Sequence, residues 1–237
     1  MSADVLQPHR VAIYAAPDPR SAWWAQGSSW LGRCAMRRFA LPQPVIDGVD
    51  ASMQTRVTAD PCRYGWHATL KAPFRLAPGV GLEALRDRVA EICRDHRPFG
   101  LPDLQVARLG SFLALRPAAP PPALGALADD CVQRLQVLAA PLDDAELVRR
   151  RRAPLTPEED ALMLAWGYPW VLHRFRFHFS LTGALGGIPD GAVERLQQAA
   201  SAHFEGLPPW RLDRLSIFIE PTPGADFVLL EQLELGA

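Results

Sequence analysis

Two stretches of the sequence each place a hydroxyl side chain two residues after a histidine. His67 is followed by Thr69, and His178 is followed by Ser180. Because the ordinary pKa of histidine lies near 6.5, one imidazole can accept a proton at neutral pH while a second one donates a proton. Each hydroxyl can donate a hydrogen bond to an oxygen on which negative charge develops. The four residues therefore predict an acid–base site that acts on a phosphate ester.

The sequence around His67 alternates in the way that predicts a half-buried β-strand. Side chains two residues apart share one face of a strand, so the face of His67 would also carry Arg63, Thr69 and Lys71. The other face would carry the aromatic and aliphatic side chains that a core buries. A single histidine on such a strand is most often structural, and the matched pair of motifs is what favours catalysis.

The stretch from Arg174 to Leu181 repeats this alternation. Arg174, Arg176, His178 and Ser180 would share a face, backed by three phenylalanines and a leucine. The cations beside the two histidines are interpreted as ligands of an anionic substrate, with solvated strand charges as the alternative.

Lys71 is the only lysine among the 25 basic residues of the chain. A genome that favours arginine codons would account for the missing lysines. A role in phosphate binding would account for the lysine that remains at position 71, because arginine does not replace the compact ammonium group of lysine well as a phosphate ligand. Both explanations stay open at this point.

The strings around these residues resemble a known family. His67-Ala-Thr69-Leu and His178-Phe-Ser180-Leu are similar to the paired His-x-Thr/Ser-hydrophobic motifs of the two-histidine phosphoesterases. One branch of that family, found in bacterial phosphonate-utilisation (carbon–phosphorus lyase) gene clusters, is similar over longer strings. These are Arg63-Tyr-Gly-Trp-His-Ala-Thr-Leu-Lys-Ala-Pro-Phe74, Trp166-Gly-Tyr-Pro-Trp170 and Val11-Ala-Ile-Tyr14. The resemblance covers nearly the whole chain.

The resemblance implies an α+β, bilobal fold with two antiparallel-sheet lobes, pseudo-twofold symmetry, helices outside and a cleft between the lobes. It also implies metal-independent cleavage of a phosphodiester, often a cyclic one. His67, Thr69, His178 and Ser180 would be the catalytic residues. The substrate-binding candidates are Tyr14, Arg63, Lys71, Tyr168 and Arg176.

Two further features each have a functional and a structural interpretation. Tyr168 and Trp170 could stack on a base or a sugar, or they could form a packed turn. The run Arg149–Arg152 could clamp a phosphate as a lid, or it could be a solvated loop.

The order of elements is predicted to repeat in the two halves of the chain. Each half is expected to run histidine strand, Gly/Pro turn, helix and two-stranded hairpin, whereas residues 37–62 are expected to be rich in loops. Thr156-Pro-Glu-Glu159 predicts the start of a helix that runs to about Trp166. We therefore expect a single bilobal domain over residues 1–237. Its halves would lie at about 1–117 and 123–237, separated by a proline-rich break at 117–122.

Composition narrows the partners and the compartment. The formal net charge of −1 creates no overall field that would attract long nucleic acid. Four scattered cysteines predict free thiols in a reducing cytoplasm, and no apolar run suggests a signal peptide or a membrane span. Without metal-ligand spacing we expect no metal and no cofactor. A cytoplasmic protein with a small phosphorylated substrate is expected, and its oligomeric state is left open.

The predicted function is a metal-independent phosphodiesterase that hydrolyses a cyclic or small phosphodiester, with a phosphorylated ribose of phosphonate catabolism as a candidate substrate. One alternative is an enzyme that acts on RNA ends as a 2′,3′-cyclic phosphodiesterase or in a ligase-like reaction. A second alternative is a module that binds a phosphosugar or a nucleotide without chemistry.

Overall fold

The computed structural model describes residues 7–151 and 154–236. In these ranges the helices are α1 Ala22–Leu31, α2 Ala51–Tyr64, α3 Leu82–Asp95, α4 Pro122–Leu135, α5 Asp144–Arg150, α6 Pro157–Trp166 and α7 Asp190–Phe204. The strands are β1 Arg10–Ala15, β2 Arg33–Cys34, β3 Phe39–Ala40, β4 Ala68–Phe74, β5 Phe99–Leu101, β6 Leu104–Leu109, β7 Phe112–Pro117, β8 Phe179–Ser180, β9 Trp210–Leu212, β10 Arg214–Glu220 and β11 Val228–Glu234. Short 3-10 helices cover Gln136–Leu138 and Leu172–Arg174.

Seven of the strands form one antiparallel sheet in the order β11-β10-β1-β4-β8-β7-β6. The predicted α+β fold with antiparallel strands is therefore confirmed. The centre of the sheet is narrow, because β4 and β8 are joined by the single residue pair Ala68 and Phe179. A four-stranded part and a three-stranded part meet at this pair, so the two histidine motifs lie on neighbouring strands.

The hairpins are exchanged between the two halves of the chain. Hairpin β6–β7 from the first half pairs with β8 of the second half, and hairpin β10–β11 from the second half pairs with β1 of the first half. Each part of the sheet therefore contains strands from both halves. The division into halves at about 1–117 and 123–237 remains a prediction about domain organisation.

The helices α3, α4 and α7 cover one face of the sheet and bury its apolar side chains. Trp66, directly before His67, points into this core, where its ring stacks on Phe179 and Phe204 at centroid distances of 4.7 and 5.2 Å. Glycine at position 27 allows α1 to pack closely against Trp66, since a Cβ at this position would overlap the indole of Trp66. Burying Trp66 on the core side turns His67 to the opposite face.

The first histidine strand is shorter than the alternation predicts, because Arg63 and Tyr64 belong to the last turn of α2. The expectation that residues 37–62 are rich in loops is also wrong at its C-terminal end. Asp50 caps α2 by accepting hydrogen bonds from the backbone N–H groups of Ser52 and Met53. Gly65 ends the helix in the left-handed range, with φ of 79°.

Proline at position 61 is tolerated in α2 because the backbone carbonyl of Val57, which lacks a helical donor, accepts a hydrogen bond from outside the helix. Proline has no N–H to bond the carbonyl of Val57, four residues earlier. The N–H of Gly183 donates to that carbonyl over 2.7 Å. This hydrogen bond ties α2 to the loop after β8, and so links the two histidine motifs through the backbone.

The second histidine strand is also shorter than predicted. A 3-10 helix occupies Leu172–Arg174, and strand pairing in β8 is limited to Phe179 and Ser180. The alternation of side chains still holds, because Phe177 and Phe179 are buried while Arg176 is exposed and His178 is half-buried. The prediction of which side chains are buried is therefore confirmed, although the hydrogen-bonded strand is only two residues long.

Candidate active site

The strand register brings the four predicted catalytic residues together. Ala68 pairs with Phe179 and both side chains lie in the core. Extending the antiparallel register by one residue sets His67 opposite Ser180 and Thr69 opposite His178, all on the other face of the sheet. Diagonal neighbours such as the two histidines are then about 7–8 Å apart. We call the face that carries these four residues the histidine face.

Both imidazoles are oriented by the same local contact. The Nδ1 atom of His67 lies 2.8 Å from the carbonyl oxygen of Gly65, and the Nδ1 atom of His178 lies 2.7 Å from that of Arg176. A carbonyl oxygen can only accept, so Nδ1 carries the proton in each neutral ring and Nε2 is left as an acceptor. In the first motif, Thr69 Oγ1 lies 3.2 Å from Nε2 of His67. Nε2 of His67 therefore accepts the hydroxyl proton of Thr69, whereas no hydrogen bond to Nε2 of His178 is found among the described residues.

Burial, with a smaller contribution from the charge of the neighbouring His178, lowers the pKa of His67 from 6.5 to about 4. Tyr14 contributes to this burial, since its ring stacks on the imidazole at a centroid distance of 3.7 Å. Burial also lowers the pKa of His178, with a smaller contribution from the charge of Arg116. Both rings are therefore neutral at pH 7 in the unliganded protein. An anion bound between them would raise both pKa values.

Arg116 is a cation on the histidine face that the sequence analysis missed. It lies two residues after Ala114 on β7, and Ala114 pairs with Ser180. Arg116 is half-buried, and within the described ranges its guanidinium makes no ion pair or side-chain hydrogen bond. The alternation of Phe112, Ala114 and Arg116 was a usable signal, but only the pairing of β7 with β8 relates it to the histidines.

Tyr14 lies on the histidine face, where the structure places it beside His67. Its side chain is fully buried, and burial raises the pKa of its hydroxyl well above the ordinary value of 10.0. A buried ring stacked on an imidazole restricts the orientation of that imidazole. Direct contact between Tyr14 and a substrate stays a prediction.

The prediction that Arg63 shares a strand face with His67 is wrong. Arg63 lies in the last turn of α2, and its Nη2 atom donates to the buried carboxylate of Glu220, which also accepts a hydrogen bond from Arg10. The guanidinium of Arg63 also lies over the ring of Tyr64, 5.4 Å from its centroid. Arg63 is therefore part of an ion-pair cluster near the histidine face.

The prediction that Lys71 shares the face of His67 is also wrong. Tyr14 pairs with Thr69, but Ile13 pairs with Lys71, so an irregularity in the register turns Lys71 to the core side. The Lys71 ammonium donates to the carbonyl oxygen of Val132 over 3.2 Å and to Oε1 of Gln136 over 2.9 Å. Burial lowers its pKa from 10.5 to about 8. The lysine therefore anchors the end of α4 to the sheet.

The remaining candidates lie around the second motif. Arg176 is exposed, and it is the backbone carbonyl of this residue that orients His178. Tyr168 is half-buried and packs edge-on against Trp170 at 5.3 Å, as in a packed turn. Burial raises the pKa of the Tyr168 hydroxyl from 10.0 to about 12, and the charge of Arg150 opposes this shift. Substrate contacts of Arg176 and Tyr168 stay predictions.

Part of the arginine run belongs to α5 and is not a loop. Arg149 and Arg150 form the last turn of α5, Arg151 pairs with Asp160, and Arg152 lies outside the described residues. A cavity of about 230 Å³ borders this region between the end of β4, α5 and α6. Another cavity, of about 780 Å³, lies between β6 and α7, on the core side of the sheet.

Residues 7–151 and 154–236 contain neither a cluster of metal ligands nor a helix suited to a membrane. No three His, Cys, Asp or Glu side chains are grouped there as metal ligands would be. None of the helices in the same ranges combines the length and the apolar character that crossing a membrane requires. The expectation that the site uses no metal therefore rests on the sequence argument.

The fold and the site define an α+β protein with two histidine–hydroxyl motifs side by side on one face of an antiparallel sheet. The chain belongs to the DUF1045 family, described as proteins of unknown function, which matches residues 69–228. That match includes Thr69 and the whole second motif.

Two curated relatives are each 40% identical to the chain. The ribose 1,5-bisphosphate phosphokinase PhnN of Janthinobacterium sp. (strain Marseille) aligns over 226 residues, or 92% of this chain and 49% of the relative. The protein of the same name from Laribacter hongkongensis (strain HLHK9) aligns over 222 residues, or 93% of this chain and 50% of the relative. The chain thus spans about half the length of the curated relatives it matches.

Solved structures with a similar arrangement include E. coli LigT complexed with NADP+. It has a TM-score of 0.46 and 13% identity, over 97% of this chain and 98% of that chain. A structure described as a phosphoesterase has a TM-score of 0.44 and 12% identity, over 96% of this chain and 98% of that chain.

Proposed function

We propose that the protein is a phosphodiesterase that hydrolyses a cyclic or small phosphodiester by acid–base catalysis with His67 and His178. The observation that carries the proposal is the matched orientation of the two rings. Each Nδ1 donates to a backbone carbonyl two residues earlier, so Nε2 is the proton acceptor of each neutral ring. A structural histidine has no need for this repeated arrangement.

In this proposal the two rings take different roles. His67 has the strongly lowered pKa and serves as the base that removes a proton from water. The water oxygen forms a bond to phosphorus, and the bond from phosphorus to the leaving sugar oxygen breaks. His178, protonated once the anion is bound, donates its proton to that oxygen. Thr69, Ser180 and Arg116 stabilise the charge on the non-bridging oxygens.

The names of the relatives favour a phosphorylated ribose as the substrate class. Both relatives are named for ribose 1,5-bisphosphate, and this chain corresponds to about half of each. A kinase activity of the chain is not favoured, because its sequence contains no Gly-rich loop followed by Lys-Ser/Thr. Hydrolysis of RNA ends and binding without chemistry are the alternatives that the experiment separates.

The test is turnover against a panel of cyclic ribose phosphates and nucleoside 2′,3′-cyclic phosphates, with EDTA present throughout. We expect hydrolysis of at least one of them that survives EDTA, and loss of that activity in His67→Ala and His178→Ala. His173→Ala is the matched control, since His173 is exposed and pairs with Glu158 on the surface. Activity that requires added Zn²⁺ or Mn²⁺ would contradict the metal-independent mechanism. Ligand binding without turnover would favour the binding module.

A further inference from the structure

A phenylalanine from the neighbouring strand packs against the second histidine of the site. The ring centroid of Phe112, on β7, lies 5.4 Å from that of the His178 imidazole, with an angle of 50° between the two ring planes. Aromatic rings attract each other over such a distance. Phe112 is half-buried, and the proposed mechanism gives it no role. Its ring encloses one side of the imidazole that serves as the acid.

The first motif has the same kind of neighbour. The ring of Tyr14, on β1, stacks on His67 at 3.7 Å with an interplanar angle of 20°. Strand β1 lies next to β4 and β7 lies next to β8, so each histidine receives an aromatic ring from the strand on its outer side. Each imidazole thus has two restraints, a backbone carbonyl at Nδ1 and an aromatic side chain. Their occurrence at both motifs indicates a shared requirement for a fixed ring.

Strand pairing explains how Phe112 reaches His178. Ala114 pairs with Ser180 on the histidine face. Phe112 stands two residues before Ala114 and shares this face, because successive side chains of a strand alternate. Ala114 is fully buried, and its single methyl group leaves room for larger side chains to approach each other above it. Phe112 and His178 therefore meet although they come from different halves of the chain.

Phe112 encloses His178 in surroundings that hold no compensating anion. Burial is the main cause that lowers the pKa of His178, and the charge of Arg116 from β7 adds to it. His67 faces the ring from β4, and the exposed Arg176 precedes it on its own segment. Within residues 7–151 and 154–236, no carboxylate pairs or hydrogen-bonds with His178. A loss of the aromatic ring would therefore let water solvate the charged imidazole.

We propose that Phe112 is the positioning residue of His178, holding the imidazole with Nδ1 against the carbonyl of Arg176 and Nε2 toward the bound phosphate. Tyr14 has the corresponding role at His67. The consequence for catalysis rests on the proposed function. The effect of Phe112 on the orientation and the protonation of the ring does not depend on turnover, so the two can be tested separately.

The first test follows the ring of His178 by heteronuclear NMR, with His178→Gln to identify its signals among those of the six histidines. In the wild type we expect the neutral ring to carry its proton on Nδ1. Phe112→Leu keeps an apolar side chain but loses the ring. We expect it to give a mixture of the two neutral forms and to raise the pKa of His178 toward the ordinary value. Phe112→Tyr restores the ring and should behave like the wild type.

Val106→Ala is the matched control on the same hairpin. Val106 packs against the core from β6 and pairs with Leu115, so its truncation loosens the hairpin without a change on the histidine face. It should lower the unfolding temperature and leave the neutral form and the pKa of His178 as in the wild type. Unchanged NMR behaviour in Phe112→Leu would overturn the proposal whatever the activity. Equal changes in Val106→Ala would assign Phe112 to the fold and would also overturn it.

The second test is kinetic and uses the substrate of the proposed phosphodiesterase. Phe112→Leu should reduce kcat about 10- to 100-fold, because a displaced acid no longer meets the leaving oxygen. KM should change less than about threefold, since Thr69, Ser180 and Arg116 still hold the phosphate. The basic limb of the pH profile of kcat should move to higher pH, because a raised pKa keeps His178 protonated to higher pH.

The two tests separate the positioning role from the activity. If no substrate is turned over but the NMR changes occur in Phe112→Leu, the proposed function fails and the positioning role of Phe112 stands. In an active enzyme, an unchanged kcat in Phe112→Leu, or a loss that comes from KM alone, would overturn the proposal.

Discussion

Protonation of His67 should destabilise the folded protein, because the ring is held neutral by burial. Its pKa is about 4 in the folded protein against an ordinary value of 6.5. Between these values the unfolded chain binds a proton that the folded chain does not bind. The free energy of unfolding therefore falls as the pH falls from 6.5 toward 4. A difference of this size corresponds to at most about 3 kcal/mol from this residue.

The measurement is urea unfolding of the wild type and His67→Gln at several pH values from 7.5 to 4.5, with His173→Gln as the control. Carboxylates also titrate in this range, but they do so in all three proteins, so the difference between the curves isolates His67. We expect the stability of His67→Gln relative to the wild type to rise as the pH is lowered. Parallel curves would refute the interpretation that the ring is buried in its neutral form.

An anion between the histidines should weaken this pH dependence. Bound phosphate favours the protonated ring and raises its pKa toward the ordinary value. Saturating inorganic phosphate should therefore flatten the difference between the wild type and His67→Gln. If phosphate has no effect on that difference, it does not bind beside His67.

Three further predictions concern the site and its support. His67→Ala and His178→Ala should each reduce kcat about 10²–10⁴-fold in steady-state kinetics. The double mutant should show little additional loss, because the two histidines act as one unit, and a loss equal to the product of the two single losses would contradict this. Gly27→Ala should cost at least about 1–3 kcal/mol in chemical unfolding, since its Cβ would overlap Trp66, and a neutral substitution would show that α1 can shift freely. Lys71→Met should change unfolding stability but leave kcat/KM close to that of the wild type; a large loss of kcat/KM without a stability change would restore Lys71 to the site.

Several features of the fold were predictable because they depend on local alternation. The pattern around Trp66 and Phe179 assigns these side chains to the core, and this assignment holds even though β8 is only two residues long. The histidines then follow on the other face, because successive side chains of an extended chain point in opposite directions. The pairing of the two motifs was predictable from their repetition in the sequence.

The cations were much harder to predict. Arg63 appeared to continue a strand, but a cap at Asp50 and a left-handed glycine at position 65 make it the end of a helix. Lys71 stands two residues after Thr69, and an irregularity in the pairing with β1 turns it to the core. In both cases the orientation depends on a neighbour that is distant in the sequence.

The sequence by itself therefore determined which face of each stretch carries the two histidine–hydroxyl motifs, since the alternation of an amphipathic stretch requires nothing beyond local geometry. Only the tertiary structure decided which cations accompany them. Arg116 reaches the site through the pairing of β7 with β8. The physical reason is that alternation is a property of one strand, whereas register, bulges and the packing of helices depend on pairing between distant segments.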